Sequence, residues 1–273
     1  MTTTWSEVTA GFSSRGEAEN VRTLLKSLLA LDRVPAVISV RYEGSPNSLE
    51  GFQFQQIARW ASLKGVTLSV SYLRSTNVRD ARDWLLETCP TKWLWMLDDD
   101  VIPESSCLSK LMHHSEEPAL FIAGSKPDVA NLRDYPSFCL SEHPVSDLLK
   151  PHSQNWVWTP TSSESVRTQV MDTGNCLFDA GYIRSNRYLR FRTRPDHGNC
   201  SGDDMAFSLR VRKAKLSGLF VPSARAWHMD KASNGFGEIE ARREMLLRLC
   251  DSEDLDVEFL KSQWMGGWKT SST

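Results

Sequence analysis

No apolar run in the 273-residue chain approaches the roughly 20 residues of a membrane span. Its start, MTTTWSEVTAG, lacks the basic opening and apolar stretch of a secretory signal, so a cytoplasmic protein with no membrane span is expected. Its six cysteines contain no C-x-x-C pair and sit at wide spacings, which argues against a zinc site or a disulfide framework and for reduced core thiols. Charge of one sign is also missing. With 32 basic against 34 acidic residues, the net charge of -2 supplies no whole-molecule field for polyanions, so any such contact must be local. There is no internal repeat and no low-complexity block, and 40% apolar residues exclude a disordered tail.

What is present is an alternation of short β-like runs with helical periods. Val8 to Phe12 reads as a strand, and Ser14 to Glu17 has capping-box spacing ahead of Val21, Leu24, Leu25 and Leu28 at i, i+3, i+4 and i+7. Ala36 to Val40 is a second strand; Phe54, Ile57, Ala58 and Ala61 mark a helix stopped by Gly65; Val66 to Tyr72 is a third strand. Asn77 can cap a helix carrying Val78, Ala81 and Leu85, followed by the apolar Trp93 to Leu97. Four β/α units predict an α/β fold with a mostly parallel sheet flanked by helices, whose ligands sit at the carboxyl ends of the strands. Residues 124 to 168 are loop-like, after which Gln169 to Phe178, a helix from about Gly202 and a strand at Leu219 to Val221 resume the order. Trp60, Trp84, Trp93 and Trp95 are assigned to the core.

Three consecutive carboxylates, Asp98, Asp99 and Asp100, follow the Trp93 to Leu97 run. Adjacent anions repel, and a divalent cation such as Mg²⁺ or Mn²⁺ is the usual compensation for hard oxygens; a solvated acidic turn is the plain alternative. Asp203 and Asp204 open a helix, where the macrodipole alone would account for them. His228 ends a short apolar stretch, and a lone histidine is more often structural than ligating.

Taken in order, these segments resemble the GT-A nucleotide-sugar glycosyltransferases, especially the large family of mostly inverting, single-transfer enzymes. The resemblance runs over roughly residues 8 to 230. It is carried by the opening strand and Ser13-Ser14-Arg15-Gly16-Glu17 loop, by NVRTLLKSLL and VRDARDWLL, by LDDDVIP at the place of the D-x-D motif, by DTGNCLF, by GDDMAFSLRVRKAK at the E-D helix and by His228. The resemblance implies a GT-A (Rossmann-like) domain over 1–230, with a nucleotide-sugar-binding half (1–104) and an acceptor-binding half (105–230). It implies that Asp98 and Asp99 contact the donor's ribose and sugar, that Asp100 and His228 bind Mn²⁺ or Mg²⁺, and that Arg82, Ser13, Arg15 and Glu43 lie along the donor. Asp204 matches the general base of inverting relatives, with Asp203 in place of the usual Glu. Two positions depart from the family pattern: Tyr42-Glu43-Gly44-Ser45 stands for an acidic D-D-G-S turn, and Asp83 for an Asn.

Five arginines from Arg184 to Arg194 precede the Asp203-Asp204 pair, and arginine forks suit phosphate oxygens. Arg190 and Arg192 are therefore acceptor-binding candidates, for an acceptor such as nucleic acid or a phosphorylated glycan carrier, with solvated surface as the alternative; Trp158, an aromatic in polar surroundings, is a third candidate because its face can stack on a sugar or base, a packing anchor for the loop being the alternative. Residues 231–273, with Asn234-Gly235-Phe236-Gly237 ahead of a charged helix, read as a C-terminal tail or lid. The rivals to a metal-dependent sugar transfer are a metal-dependent nucleotidyltransferase and a non-catalytic sugar- or nucleic-acid-binding module.

Overall fold

The computed structural model describes residues 4–73, 78–126, 149–152, 155–158, 165–169, 171, 173–191, 203–229 and 239–258. The first hundred residues form the expected alternation: β1 (Thr4–Ser14), α1 (Ala18–Leu29), β2 (Val34–Tyr42), α2 (Pro46–Leu49), α3 (Phe52–Leu63), β3 (Thr67–Tyr72), α4 (Val78–Thr88) and β4 (Trp93–Leu97). These four strands lie side by side in the order β3-β2-β1-β4, all parallel. The α1 heptad-like set is buried as its spacing predicts, and Gly65 adopts a φ of 71° after α3. The capping box does not form. Ser14 is the last residue of β1, and Glu17 stands at the helix start with no side-chain cap bond. Trp60 is also not a core residue, being 36% exposed on α3, while Trp84 is half-buried and Trp93 and Trp95 are fully buried.

Beyond β4 the sheet becomes mixed. It gains β5 (Val101–Pro103), α5 (Cys107–Met112), β6 (Phe121–Ser125), β9 (Val166–Thr168), β10 (Asn175–Asp179), α6 (Ala180–Ser185), α7 (Asp203–Lys213), β11 (Gly218–His228) and α8 (Ile239–Glu253). The order continues β4-β10-β6-β11-β5, with β10 antiparallel to β4 and β6, and with β9 also on β11. A separate antiparallel pair, β7 (Leu149–His152) and β8 (Asn155–Trp158), falls within the stretch expected to be loop.

The sheet separates two cores. Trp93, Trp95 and Leu97 of β4 face α1, α3 and α5, whereas Leu94 and Met96 face α4, α6, α7 and α8. On the second face Phe191 stacks on Phe207 at 4.6 Å, with Phe178 edge-on to both. Part of the expected tail belongs to this core: Met245, Leu246, Leu249 and Cys250 of α8 are buried there. The buried Arg210 of α7 grips Glu253 of α8 with both arms, at 2.8 and 2.6 Å. Residues 234–237 lie outside the described residues. Cys89, Cys107, Cys176 and Cys250 are buried free thiols, as expected; Cys139 and Cys200 are outside the described residues.

One buried amide organises the turn from β6 to the site. β11 runs parallel to β6 through Val221↔Gly124, then slips until Arg225↔Ser125. Pro222 sits in the slip and has no N–H to offer the ladder. Asn175 fills the gap: Nδ2 donates to the carbonyls of Ser125 and Ala224, both at 3.0 Å, and Oδ1 accepts from Trp95 Nε1 at 2.9 Å. The Ser125 hydroxyl donates to the Pro222 carbonyl at 2.9 Å. Gly124 makes room, because a Cβ there would lie 2.3 Å from Asn175 Nδ2. This bulge lets β11 leave β6 and pair antiparallel with β5, bringing His228 opposite Val101.

Asn175→Leu keeps the volume but strands one buried N–H and two carbonyls. We expect it to lower unfolding stability by on the order of 3 kcal/mol, read as a lower urea midpoint. An unchanged midpoint would show that the amide is dispensable to the bulge.

Candidate functional site

The carboxylates predicted from the sequence converge at the carboxyl end of β4. Asp98 follows the strand directly, and Asp99 and Asp100 form the turn into β5. Met229 N donates to the Asp100 carbonyl at 2.7 Å, so the end of β11 is tied to this turn. Asp203 and Asp204 arrive from the first turn of α7, where the helix dipole favours negative charge.

Arg82, in the second turn of α4, is the hub that joins the two acidic segments. Its Nη1 donates to Asp204 Oδ1 at 2.7 Å and to Asp203 Oδ2, and its Nη2 donates to Asp98 Oδ1 at 3.4 Å. Lys126, just past β6, donates to Asp98 Oδ2 at 2.9 Å. Burial alone would raise the pKa of Asp98, but Lys126 and Arg82 outweigh it and hold the carboxyl well below the usual carboxylate range. Gly174 is required by this contact: a Cβ would lie 2.3 Å from Asp98 Oδ2 and 2.6 Å from Lys126 Nζ. Neither Lys126 nor Thr173, whose hydroxyl donates to Asp204 Oδ1 at 2.8 Å, was found from the sequence. Thr173 and Gly174 lie in the DTGNCLF segment, so their signal was visible as a segment though not as a role; Lys126 carried none.

The two α7 acids differ in access. The Asp203 side chain is 5% exposed and Asp204 is 33% exposed, so only Asp204 can meet a bound molecule. Asp83, the departure from the family's Asn, is buried and accepts from Phe191 N at 2.9 Å, which fixes the end of the segment leading toward α7.

Asp100 and His228 form a pair suited to a divalent cation. Asp100 Oδ2 is 3.3 Å from His228 Nε2, while Oδ1 is buried and among the described residues has no hydrogen-bond partner. An orphaned hard oxygen beside an imidazole nitrogen fits Mn²⁺ or Mg²⁺, and it is costly without one. Among the described residues no group of three or more His, Cys, Asp or Glu forms a complete cage, so further ligands have to come from a bound molecule or water.

The other residues that the resemblance set along a donor lie one and two strands away. Ser13 at the end of β1 is in register with Arg41 of β2, Arg15 is exposed in the following loop, and Glu43 N donates to the Ser14 carbonyl at 2.9 Å. Burial raises the pKa of Glu43 despite the nearby Arg41 and Arg15 charges. The acceptor candidates are not gathered here. Arg190 pairs with Glu87 of α4 at 3.3 Å, and Arg184 donates to the Cys89 carbonyl just past α4, so the structure turns both toward the far end of that helix. Arg192 and the Trp158 side chain lie outside the described residues.

No family model matches the sequence, and no curated protein sequence matches it. Solved structures do match its fold. GalNAc-T7, solved with UDP, GalNAc and Mn²⁺, is 14% identical with a TM-score of 0.62 over 90% of this chain and 48% of that one. The chain thus spans about half the length of GalNAc-T7. The mannosyltransferase PcManGT from Pyrobaculum calidifontis, in complex with GDP-Man and Mn²⁺, is 11% identical with a TM-score of 0.59, over 96% of this chain and 69% of that one. TarS from S. aureus, in complex with UDP-GlcNAc, is 13% identical with a TM-score of 0.62, over 95% and 71%. The fold is GT-A, as the sequence predicted. Among the described residues no helix is long and apolar enough to cross a membrane.

Asp99 supplies a test of the crowding of charge at this turn. Burial, reinforced by Asp100 and Asp98 and partly offset by the nearby Ser14 hydroxyl, pushes its pKa up to about 6. A raised carboxyl pKa means that ionisation costs the folded state, a cost fully present above pH 6 and lost as the pH falls toward 4. In metal-free protein Asp99→Asn is therefore expected to be more stable than wild type at pH 7.5 by on the order of 1–3 kcal/mol, the gap closing between pH 6 and 4. Equal melting temperatures at pH 7.5 would contradict this.

Proposed function

We propose that the chain is a metal-dependent glycosyltransferase that moves a sugar from a nucleotide-diphosphate-sugar donor to an acceptor hydroxyl with inversion at the anomeric carbon. The observation that carries this reading is the meeting of Asp98, Asp100, His228 and Asp204 at one end of a GT-A sheet. The fold is shared with proteins solved with UDP, GDP-Man or UDP-GlcNAc, two of them with Mn²⁺. The donor occupies the half formed by residues 1–104, and the acceptor approaches over 105–230.

In this reading Asp100 and His228 hold the divalent cation. When bound, the cation neutralises the negative charge that builds on the leaving diphosphate. Asp98, kept ionised by Lys126 and Arg82, accepts hydrogen bonds from donor hydroxyls, with Asp99 beside it. Arg82 and Thr173 both engage Asp204 Oδ1 and so fix the plane of its carboxylate. Asp204 takes the proton from the acceptor hydroxyl as that oxygen attacks the anomeric carbon from the face opposite the diphosphate. Arg82 and Asp203 are positioning residues, since they act through the other acids.

Asp100→Ala is expected to abolish metal-dependent donor binding while the chain stays folded, because it removes one ligand and also one of three crowded anions. Calorimetric titration of UDP- and GDP-sugars with and without Mn²⁺ reads this; unchanged metal-dependent affinity would remove the assignment. Asp204→Asn should lower kcat by about 10²–10⁴-fold with little change in donor affinity, since an amide keeps the shape but takes no proton. Inactivity of Asp203→Asn with normal Asp204→Asn would move the base by one residue. Release of pyrophosphate in place of nucleoside diphosphate would establish the nucleotidyltransferase rival.

A further inference from the structure

We propose that Ser165, His114 and Glu117 form a further catalytic site, apart from the acidic end of the sheet, in which Ser165 is a nucleophile toward small acyl esters. The three side chains are joined in a line. His114 Nδ1 lies 2.5 Å from Glu117 Oε1, and His114 Nε2 lies 3.2 Å from Ser165 Oγ. A carboxylate only accepts, so the imidazole proton of the neutral ring sits on Nδ1 and Nε2 turns its lone pair to the serine. The hydroxyl therefore donates to the imidazole. A nucleophile within hydrogen-bond reach of a base that a third group orients is the arrangement that activates serine, and it is defined by geometry and roles, whatever the chain order.

Two elements build it. His114 and Glu117 belong to the turn that follows α5, which is closed by Glu117 N donating to the His114 carbonyl at 3.0 Å. Ser165 directly precedes β9, the short strand on β11. Arg167 of β9 fastens the two together: its Nη1 donates to the Pro118 carbonyl at 2.7 Å, and its Nη2 lies 3.9 Å from Glu117 Oε2. With that fastening in place, a relay through His114 is not needed to hold β9 to the turn. Ser165 is half-buried, and the His114 and Glu117 side chains are 19% and 41% exposed, so the group is held by its neighbours and is reachable from solvent. Along the order β4-β10-β6-β11, with β9 beyond β11, four strand spacings of roughly 19 Å in all separate it from the strand that leads to Asp98.

Ser165 Oγ attacks the carbonyl carbon of the ester as its proton passes to His114 Nε2, and Glu117 steadies the imidazolium. The bond from that carbon to the alcohol oxygen then breaks, and the alcohol leaves with the proton from Nε2. Water, giving a proton to Nε2 in its turn, attacks the acyl-serine. The bond from Oγ to carbon breaks, Oγ takes the proton back and the carboxylic acid departs. Arg167, two residues from the serine, brings a positive charge toward the carbonyl oxygen on which negative charge develops. The side chains that the structure places around the hydroxyl, those of His114, Glu117 and Arg167, are polar, which suits a short acyl group such as acetyl over a long hydrocarbon chain.

The full chain is treated with an alkyl fluorophosphonate, which phosphonylates an activated serine with loss of fluoride, and its hydrolysis of p-nitrophenyl acetate is followed. Wild type should carry the label on Ser165, located by peptide mass, and should turn over the acetate. Ser165→Ala should lose the label and fall to the background rate. His114→Asn should slow labelling by about 10²–10⁴-fold, the loss typical of removing a general base, and Glu117→Gln by at least about tenfold, because an amide no longer holds the tautomer. Should His114→Asn fail to fold, Glu117→Gln carries the test, since its side chain is 41% exposed and surface changes leave stability within about 0.5 kcal/mol. Wild type without a label on Ser165, or Ser165 labelled at the same rate in folded Glu117→Gln as in wild type, would overturn the proposal and leave the three residues as a structural tie.

Discussion

Everything at the functional end of this molecule depends on keeping five carboxylates close together. Asp98, Asp99, Asp100, Asp203 and Asp204 reach it from two segments far apart in sequence, and among the described residues Arg82 and Lys126 bond three of them while His228 lies against Asp100. Carboxylates crowded at short range raise one another's cost of ionisation. That cost is unevenly distributed. Asp98, Asp203 and Asp204 are satisfied by Arg82 and Lys126, while Asp99 is pushed toward protonation and Asp100 keeps one oxygen unpaired. The least compensated part thus lies beside His228, which is where the proposed reading puts its cation.

That arrangement requires β11 to end in the right place, and this is decided by polar groups inside the core. Pro222 interrupts the parallel ladder, and Asn175 and Ser125 satisfy the groups it leaves open. The strand can then change partners from β6 to β5 without burying unpaired backbone. His228 is thereby delivered to Asp100. The same asparagine also fixes the Trp95 indole on the strand that leads to the three aspartates, so one amide links that strand with the one that ends at His228.

Much of the first half was legible because its signals are local. Apolar spacing in α1 and α3, β-branched runs in β1 to β3 and the wholly apolar Trp93 to Leu97 each follow from the periodicity of one element. The capping box failed because β1 runs through Ser14, and pairing with Tyr42 of β2 takes that residue into the strand. Trp60 failed because a large aromatic in a helical pattern does not reveal which side faces the sheet. The arginine run from 184 to 194 suggested a phosphate site by composition, yet Arg184 and Arg190 spend their charge on the end of α4, a use that no spacing discloses.

The amino-acid sequence by itself determined the α/β alternation, a mostly parallel sheet in the first half, and the chain order of the carboxylates that meet at its edge, because strand apolarity and residue spacing are properties of contiguous residues. Tertiary structure alone decided which acids share a counter-ion, that Lys126 and Thr173 lie against those acids, and that Asp204 is open where Asp203 is closed. The physical reason is that charge compensation and burial are sums over neighbours 28 to 122 residues apart, as Asp98 with Lys126 and Arg82 with Asp204 are, and only folding brings those neighbours within range.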